Sequence, residues 1–201
     1  EMVEKQKDSA QKESKMEVFL GIIVAWIIAE IGSALFHHFE DRYGNPDWED
    51  SESTFKRIVF QAVIGPNVIH HKQPAAMLKG NYWYRNRETI IASVILAGIS
   101  FFFWPTAWPV YCGFLLMSQS NEIHGWAHQK CNRFIAFFQR IGLLQSPKHH
   151  KIHHTVPYNT NYCVMTNLLN PILNAIYFWR VVEFFYWLIF GLKPLKVREI
   201  Y

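Results

Sequence analysis

The chain has 201 residues, half of them hydrophobic, with only 18% charged and a formal net charge of +4. That length suits one domain, and so low a charged fraction, against roughly 25% in soluble proteins, argues against a soluble protein. A weak positive balance without a nucleic-acid motif argues against nucleic acid as a partner and for anionic lipid headgroups. Cys112, Cys131 and Cys163, with no C-x-x-C spacing, are read as free thiols rather than as a zinc site or disulfide scaffold.

Residues 1–16 mix Lys, Glu and Gln without apolar periodicity and are expected to form a mobile polar tail. A membrane domain follows over 17–192, and 193–201 form a second tail. Residues 18–36 nearly fill the roughly 20 positions of a spanning helix, which should continue through His37 and Asp41. Its one acid, Glu30, is expected to face protein or a polar cavity, because a carboxylate in lipid is costly. Residues 44–53 (GNPDWEDSES) read as a loop. Residues 55–64 have a short apolar face that Gly65 and Pro66 are expected to break. Tyr82, Trp83 and Tyr84, beside Lys79, Arg85 and Arg87, resemble an interfacial belt. Residues 89–104 form a second spanning candidate, and 105–109 a Pro-rich turn. Residues 110–117 open a third helix that turns polar and carries Asn121, Glu122, His124 and His128, which completes a membrane hairpin. Residues 134–144 are apolar on one face and should lie on the membrane surface. Residues 172–192, interrupted by Arg180 and Glu183, are a half-buried interfacial helix or a fourth span, and those charges favour the interfacial reading. The predicted fold is all-α: an integral membrane protein with three to four transmembrane helices and interfacial amphipathic helices around a histidine-rich two-metal site.

Sixteen of the twenty Lys and Arg fall in 37–88 and 124–201. The positive-inside rule then puts these segments on the cytoplasmic face, or the stromal face of a plastid. The membrane itself (endoplasmic reticulum, plastid or bacterial) is left open.

The ten histidines fall in four clusters: His37 and His38, His70 and His71, His124 and His128, and His149, His150, His153 and His154. Imidazole is the commonest metal ligand among side chains. Residues i and i+4 share a helix face, which aligns His124 with His128, His149 with His153, His150 with His154, and His37 with Asp41. Each cluster is therefore expected to send two or three imidazoles to one point, with Asp41 beside a ligand to fix its tautomer. Ten histidines without a cysteine pair exceed what one structural zinc needs. Two iron ions with about four imidazoles each, and a position for O₂, fit the count. The Glu-x-x-His pairs of soluble di-iron bundles are missing.

Four motifs carry a resemblance: F-H-H-F-E-D-R-Y-G (36–44), H-H-K-Q-P (70–74), N-E-I-H-G-W-A-H (121–128) and S-P-K-H-H-K-I-H-H-T-V-P-Y-N-T-N-Y-C (146–163). They resemble the Kua/CarF-type lipid desaturases, which include plasmanylethanolamine and plastid palmitoyl-phosphatidylglycerol desaturases, over most of 31–183. The resemblance implies a membrane di-iron desaturase that uses O₂ and puts a double bond into an alkyl or acyl chain of a phospholipid. Carried over position by position, it implies as iron ligands His37, His70, His71, His124, His128, His150, His153 and His154. Asp41 matches the motif acid and is expected to orient a ligand or bind metal, and His149 is expected just outside the ligand set. His38 stands where the family more often has Trp and is left out. Gly80 stands where some members have a further His, so that position supplies no essential ligand. Members also tend to carry one more hydrophobic segment before the first motif; where it would stand this chain has only its charged tail, as expected of a fragment, a processed form or a shorter version.

No haem or flavin motif is present, so the two electrons that supplement those from the lipid must come from a separate donor, a cytochrome b5 or a ferredoxin. Lys148, Lys151 and Arg140 are expected to offer it a basic face. Pro157, Tyr158 and Tyr162 are expected to shape the lipid slot, and Asn167 and Asn170 to cap helices. Two other readings share the histidines: a lipid hydroxylase on the same centre, and a non-catalytic zinc-binding membrane protein.

Overall fold

A computed structural model describes residues 2–195, so residues 196–201 of the expected C-terminal tail lie outside the described residues. Among the described residues there are helices and turns and no strand. The first helix, α1 (Met2–Tyr43), is 42 residues long. The stretch expected to be a mobile tail is its first part. Lys, Glu, Gln and Ala are strong helix formers, and no Gly or Pro precedes Gly21, so helical propensity prevails over the lack of an apolar face. The helix runs on through His37 and Asp41, as the pattern predicts. Glu30 is fully buried within it, facing protein.

A 3₁₀ turn (Pro46–Trp48) leads to α2 (Thr54–Val59) and α3 (Gly65–Lys72). The break expected at Gly65 and Pro66 does not occur. A π-turn over Phe60–Ile64 joins the two helices, with Gly65 N–H bonded to the Phe60 carbonyl. This wider turn accommodates the ring and the missing N–H of Pro66, which sits in the first turn of α3. After a second 3₁₀ turn (Pro74–Leu78), α4 (Tyr82–Phe103) begins earlier than its apolar run. The Asn81 side chain caps it by accepting from Tyr84 N–H at 2.9 Å.

The hairpin partner of α4 is α5 (Trp108–Met117). At ten residues it spans about 15 Å, half the roughly 30 Å hydrocarbon layer, so the expected third crossing is not complete in one helix. The chain breaks at Ser118 and Gln119 and resumes as α6 (Ser120–Trp126). Here hydroxyls compete with the helix backbone: Ser118 Oγ donates to the Leu115 carbonyl at 2.7 Å, and Thr89 Oγ1 to that of Ser118 at 3.0 Å. Then come α7 (Arg133–Arg140), α8 (Pro147–His153), α9 (Leu169–Ala175) and α10 (Phe178–Phe190). By length and composition Ala10–Tyr43 and Tyr82–Phe103 can each cross a membrane, and α9 with α10, bent by 66°, adds a third span if the pair is counted as one. Glu183 in α10 is tolerated because Arg42 Nε donates to it at 2.9 Å. Arg42 also exchanges two bonds with the backbone of Leu195, which ties the end of the described chain to the end of α1.

The α1–α5 contact leaves no room for a side chain at Gly113. A Cβ there would stand 2.7 Å from Ile28 Cβ and 2.9 Å from the Ala25 carbonyl oxygen. Gly113→Val should therefore cost about 1–3 kcal/mol by overpacking, read as a lower melting temperature in detergent. A methyl at Gly98 on α4 would meet nothing within 4 Å, so Gly98→Ala is the matched control that should not lower it.

Candidate metal centre

Helix geometry explains how four clusters build the centre. Adjacent residues on a helix point about 100° apart, whereas i and i+4 point together. The four clusters therefore do not converge on one point. They form two neighbouring groups of donor atoms, each group with its atoms within 4.8 Å of one another. The first holds His70, His124, His128, His150 and His154; the second holds His37, Asp41, His71 and His153. The pair His70–His71 is divided between the groups, and so is His153–His154. The i,i+4 pairs His150/His154 and His37/Asp41 each stay in one group. The even share of about four imidazoles per metal is thus corrected to five imidazoles in one group, and three with a carboxylate in the other.

In the first group the Nε2 atoms face each other. His150 Nε2 lies 2.8 Å from that of His124 and 2.9 Å from that of His154; His154 to His70 is 3.1 Å and His124 to His128 is 3.3 Å. His128 stands in the turn after α6 rather than on it, held by an N–H bond to the Gly125 carbonyl at 3.0 Å, which keeps it near His124. Burial pushes His70, His124 and His150 well below the ordinary imidazole range, His128 down to about 4 and His154 down to about 2, with the neighbouring rings adding to the effect. The rings are thus neutral at pH 7, the form that ligates metal. Five Nε2 atoms turned towards one another cannot all be paired by mutual hydrogen bonds, since each is either an N–H, which serves one partner, or a bare lone pair whose ring N–H is on the far nitrogen. A cation at their centre can pair them all. With metal–nitrogen bonds of about 2.0–2.1 Å, neighbouring donors stand roughly 3 Å apart, the spacing found here.

In the second group Asp41 lies 2.9 Å from His71 Nε2 through Oδ1, and 3.1 and 3.5 Å from His153 and His37 Nε2 through Oδ2. Asn67 Nδ2 donates to Oδ1 at 2.7 Å. His153 Nδ1 lies 2.9 Å from the Thr160 carbonyl; a carbonyl only accepts, so Nδ1 carries the proton and Nε2 offers its lone pair to the group. Asn67 and Thr160 escape sequence reading. Asn67 stands one helical turn before His70 and His71, its only signal, while Thr160 acts through backbone.

The two remaining histidines, His149, expected just outside the ligand set, and His38, belong to neither group. His149 points away from both groups and accepts from Asn170 Nδ2 at 3.1 Å. His38, left out of the ligand set, stacks on Trp179 at 5.0 Å and lies 3.6 Å from Glu183. Asn167 and Asn170 do not cap helices. Asn167 Oδ1 accepts from Ser146 N–H, and Asn170 bonds both the N–H and the carbonyl of Cys163, so they lock the segment after the last histidines against α8 and α9. Tyr162 is buried against His37, His38 and His153.

A cavity of about 300 Å³ reaches His37, His70 and His124. Its apolar wall includes Phe36, Val63, Ala92, Met117 and Val164, and Lys79, Arg85 and Arg87 also line it. Pro157, Tyr158 and Tyr162, expected to shape the slot, do not line this cavity, because they follow α8 on the side of the second group.

The lipid desaturase domain family matches residues 26–197. The chain belongs to this family. It is 27% identical to a probable fatty acid desaturase of Acanthamoeba polyphaga mimivirus, over 89% of the chain and 87% of that protein. It is also 27% identical to plasmanylethanolamine desaturase 1 of Mus musculus, over 83% of the chain and 64% of the mouse protein. With the chloroplastic fatty acid desaturase 4 of Arabidopsis thaliana it shares 28%, over 92% of the chain and 56% of the plant protein. It thus spans less than two thirds of the mouse and plant relatives. No solved structure matches it. The histidine-rich groups and apolar helices of this lipid desaturase domain fit a metal-dependent membrane protein.

Proposed function

We propose that the chain is a membrane di-iron, O₂-dependent desaturase of phospholipid chains. The carrying observation is the pair of adjacent donor groups, reached by a largely apolar cavity. Imidazole with one carboxylate and no thiolate suits iron, and the nine donors divide into a full set for each of two ions. His37, His71, His153 and Asp41 hold one; His70, His124, His128, His150 and His154 hold the other. A bound iron pair supplies O₂ activation, which removal of hydrogen from an unactivated chain requires and no side chain provides. In balance, two hydrogens leave neighbouring carbons as a C=C forms, and O₂ takes their two electrons and two protons, two electrons from the donor and two protons from solvent, to give two waters. The protein's own part is positioning. The apolar wall excludes water and holds the chain, Asn67 orients the Asp41 carboxylate, and Thr160 sets the His153 tautomer. The donor, a cytochrome b5 or a ferredoxin, docks on the exposed bases Arg140, Lys148 and Lys151; the excess of Lys and Arg in 37–88 and 124–201 supports a cytoplasmic or stromal site for this docking.

Two substrate readings stand: the alkyl chain of plasmanylethanolamine, which the name of the mouse relative suggests, and an acyl chain of phosphatidylglycerol, which the motif resemblance implies. Metal analysis of the purified protein should find about two irons per chain; one zinc instead sinks the enzyme reading. Lipid mass spectra of a desaturase-null host expressing the chain should show a phospholipid lighter by two hydrogens. A gain of one oxygen assigns a hydroxylase instead.

A further inference from the structure

The cavity has a polar entrance, and the residues there differ in kind from its interior. Its inner end is His37, His70 and His124, all about 5% exposed. Its outer residues are accessible: Tyr84 is 55% exposed, the Arg87 side chain 41%, and Lys79 is exposed. The three cations lining it are not equivalent. Arg85 is consumed by structure, since its guanidinium grips both oxygens of Glu122 and the Gly80 carbonyl. Arg87 stacks over the Tyr84 ring at 4.4 Å and pairs with Glu88 at its edge. Lys79 makes no ion pair among the described residues. Glu40 and Glu88 line the same cavity.

The entrance also lies at a definite depth. α4 is a spanning candidate whose first turn carries Tyr82, Trp83 and Tyr84, and Trp and Tyr gather where headgroups begin. A mouth at that level, with two accessible cations from two different parts of the chain and the Glu88 carboxylate beside one of them, opens onto an apolar interior. A free fatty acid needs one cation. A phosphodiester flanked by an amine or hydroxyl needs this mixed set.

We infer that Lys79 and Arg87 bind the phosphodiester of a phospholipid whose chain occupies this cavity, and so fix which end of the lipid lies nearest the histidines. This rests on the proposed action on phospholipid chains, but its test needs neither iron nor turnover, so the two readings fail separately. Delipidated full chain in detergent is offered phosphatidylglycerol or diacylglycerol with the same acyl chains in separate samples, and retained lipid is counted by native mass spectrometry. Lys79→Ala with Arg87→Ala should lower phosphatidylglycerol retention about ten-fold and leave diacylglycerol unchanged. Lys79→Arg with Arg87→Lys should retain both lipids as the unaltered chain does. Ala92→Trp, which fills the interior, should lose both. Should the double alanine variant not fold, Lys79→Ala alone, at an exposed position, keeps the test with a smaller loss of phosphatidylglycerol. Unchanged phosphatidylglycerol retention in a folded alanine variant, or equal loss of the two lipids in it, overturns the assignment.

Discussion

His153→Ala is expected to reduce iron from about two to about one per chain and to abolish the desaturated product, while the protein stays in the membrane. The side chain is fully buried and contributes one of only four donors in its group. Removing it leaves His37, Asp41 and His71, and leaves Asp41 Oδ2 without its contact at 3.1 Å. The loss is specific because α8 is anchored independently: Ser146 Oγ accepts from His149 N–H at 3.2 Å, and Asn167 holds Ser146 from the other side. Iron measured on the purified variant, with lipid mass spectra of the host membranes, checks both halves. Normal desaturation in this variant breaks the division of donors into two groups. The same substitution at His149 makes the contrast: that ring touches Asn170 and neither group, so two irons per chain are expected to remain.

How far the sequence discloses this centre depends on the range of the forces involved. The i,i+4 spacings of His150 with His154 and of His37 with Asp41 are local, and helix geometry alone puts each pair on one face. The identity of the ligand candidates is therefore legible. The split into two groups follows from the same geometry applied to neighbours: His70 and His71 diverge by about 100°, so they serve different points. Reading each cluster as convergent overlooks that angle. The spanning helices are legible because apolar length is a sum over composition. The helicity of residues 2–16 is not, because propensity without an apolar face is a weak signal. Contacts made across long separations leave no local trace. Asn67 on Asp41, Arg85 on Glu122 and Asn167 on Ser146 each join segments whose meeting depends on the whole fold. The break at Ser118 belongs with them, since Thr89 on another helix helps to hold it.

Asp41→Asn probes the one charged donor of the centre, and its effect separates charge from shape. The amide fills the same volume, so the α1 backbone and the packing on Asn67 are kept. What changes is that a carboxylate with contacts to His37, His71 and His153 becomes a neutral group, and one of its oxygens becomes an NH₂ that cannot donate a lone pair to a metal. Whichever way the amide turns, it either offers NH₂ towards His153 and His37 or sets NH₂ against the NH₂ of Asn67, which donates to Oδ1 at 2.7 Å. Loss of a carboxylate that only orients a ligand typically costs about 10–100-fold in metal affinity or activity, the least to be expected for one that is itself a donor. The expected outcome is that a chelator titration releases one iron at a concentration lower by about that factor, with the second iron leaving as in the unaltered chain. Desaturated lipid should fall in parallel. Asn67→Ala should move both readouts in the same direction by less, because it removes one bond to the carboxylate and keeps the charge. If Asp41→Asn holds both irons as tightly as the unaltered chain and makes as much product, the carboxylate is a bystander and the second group must be built from imidazoles alone.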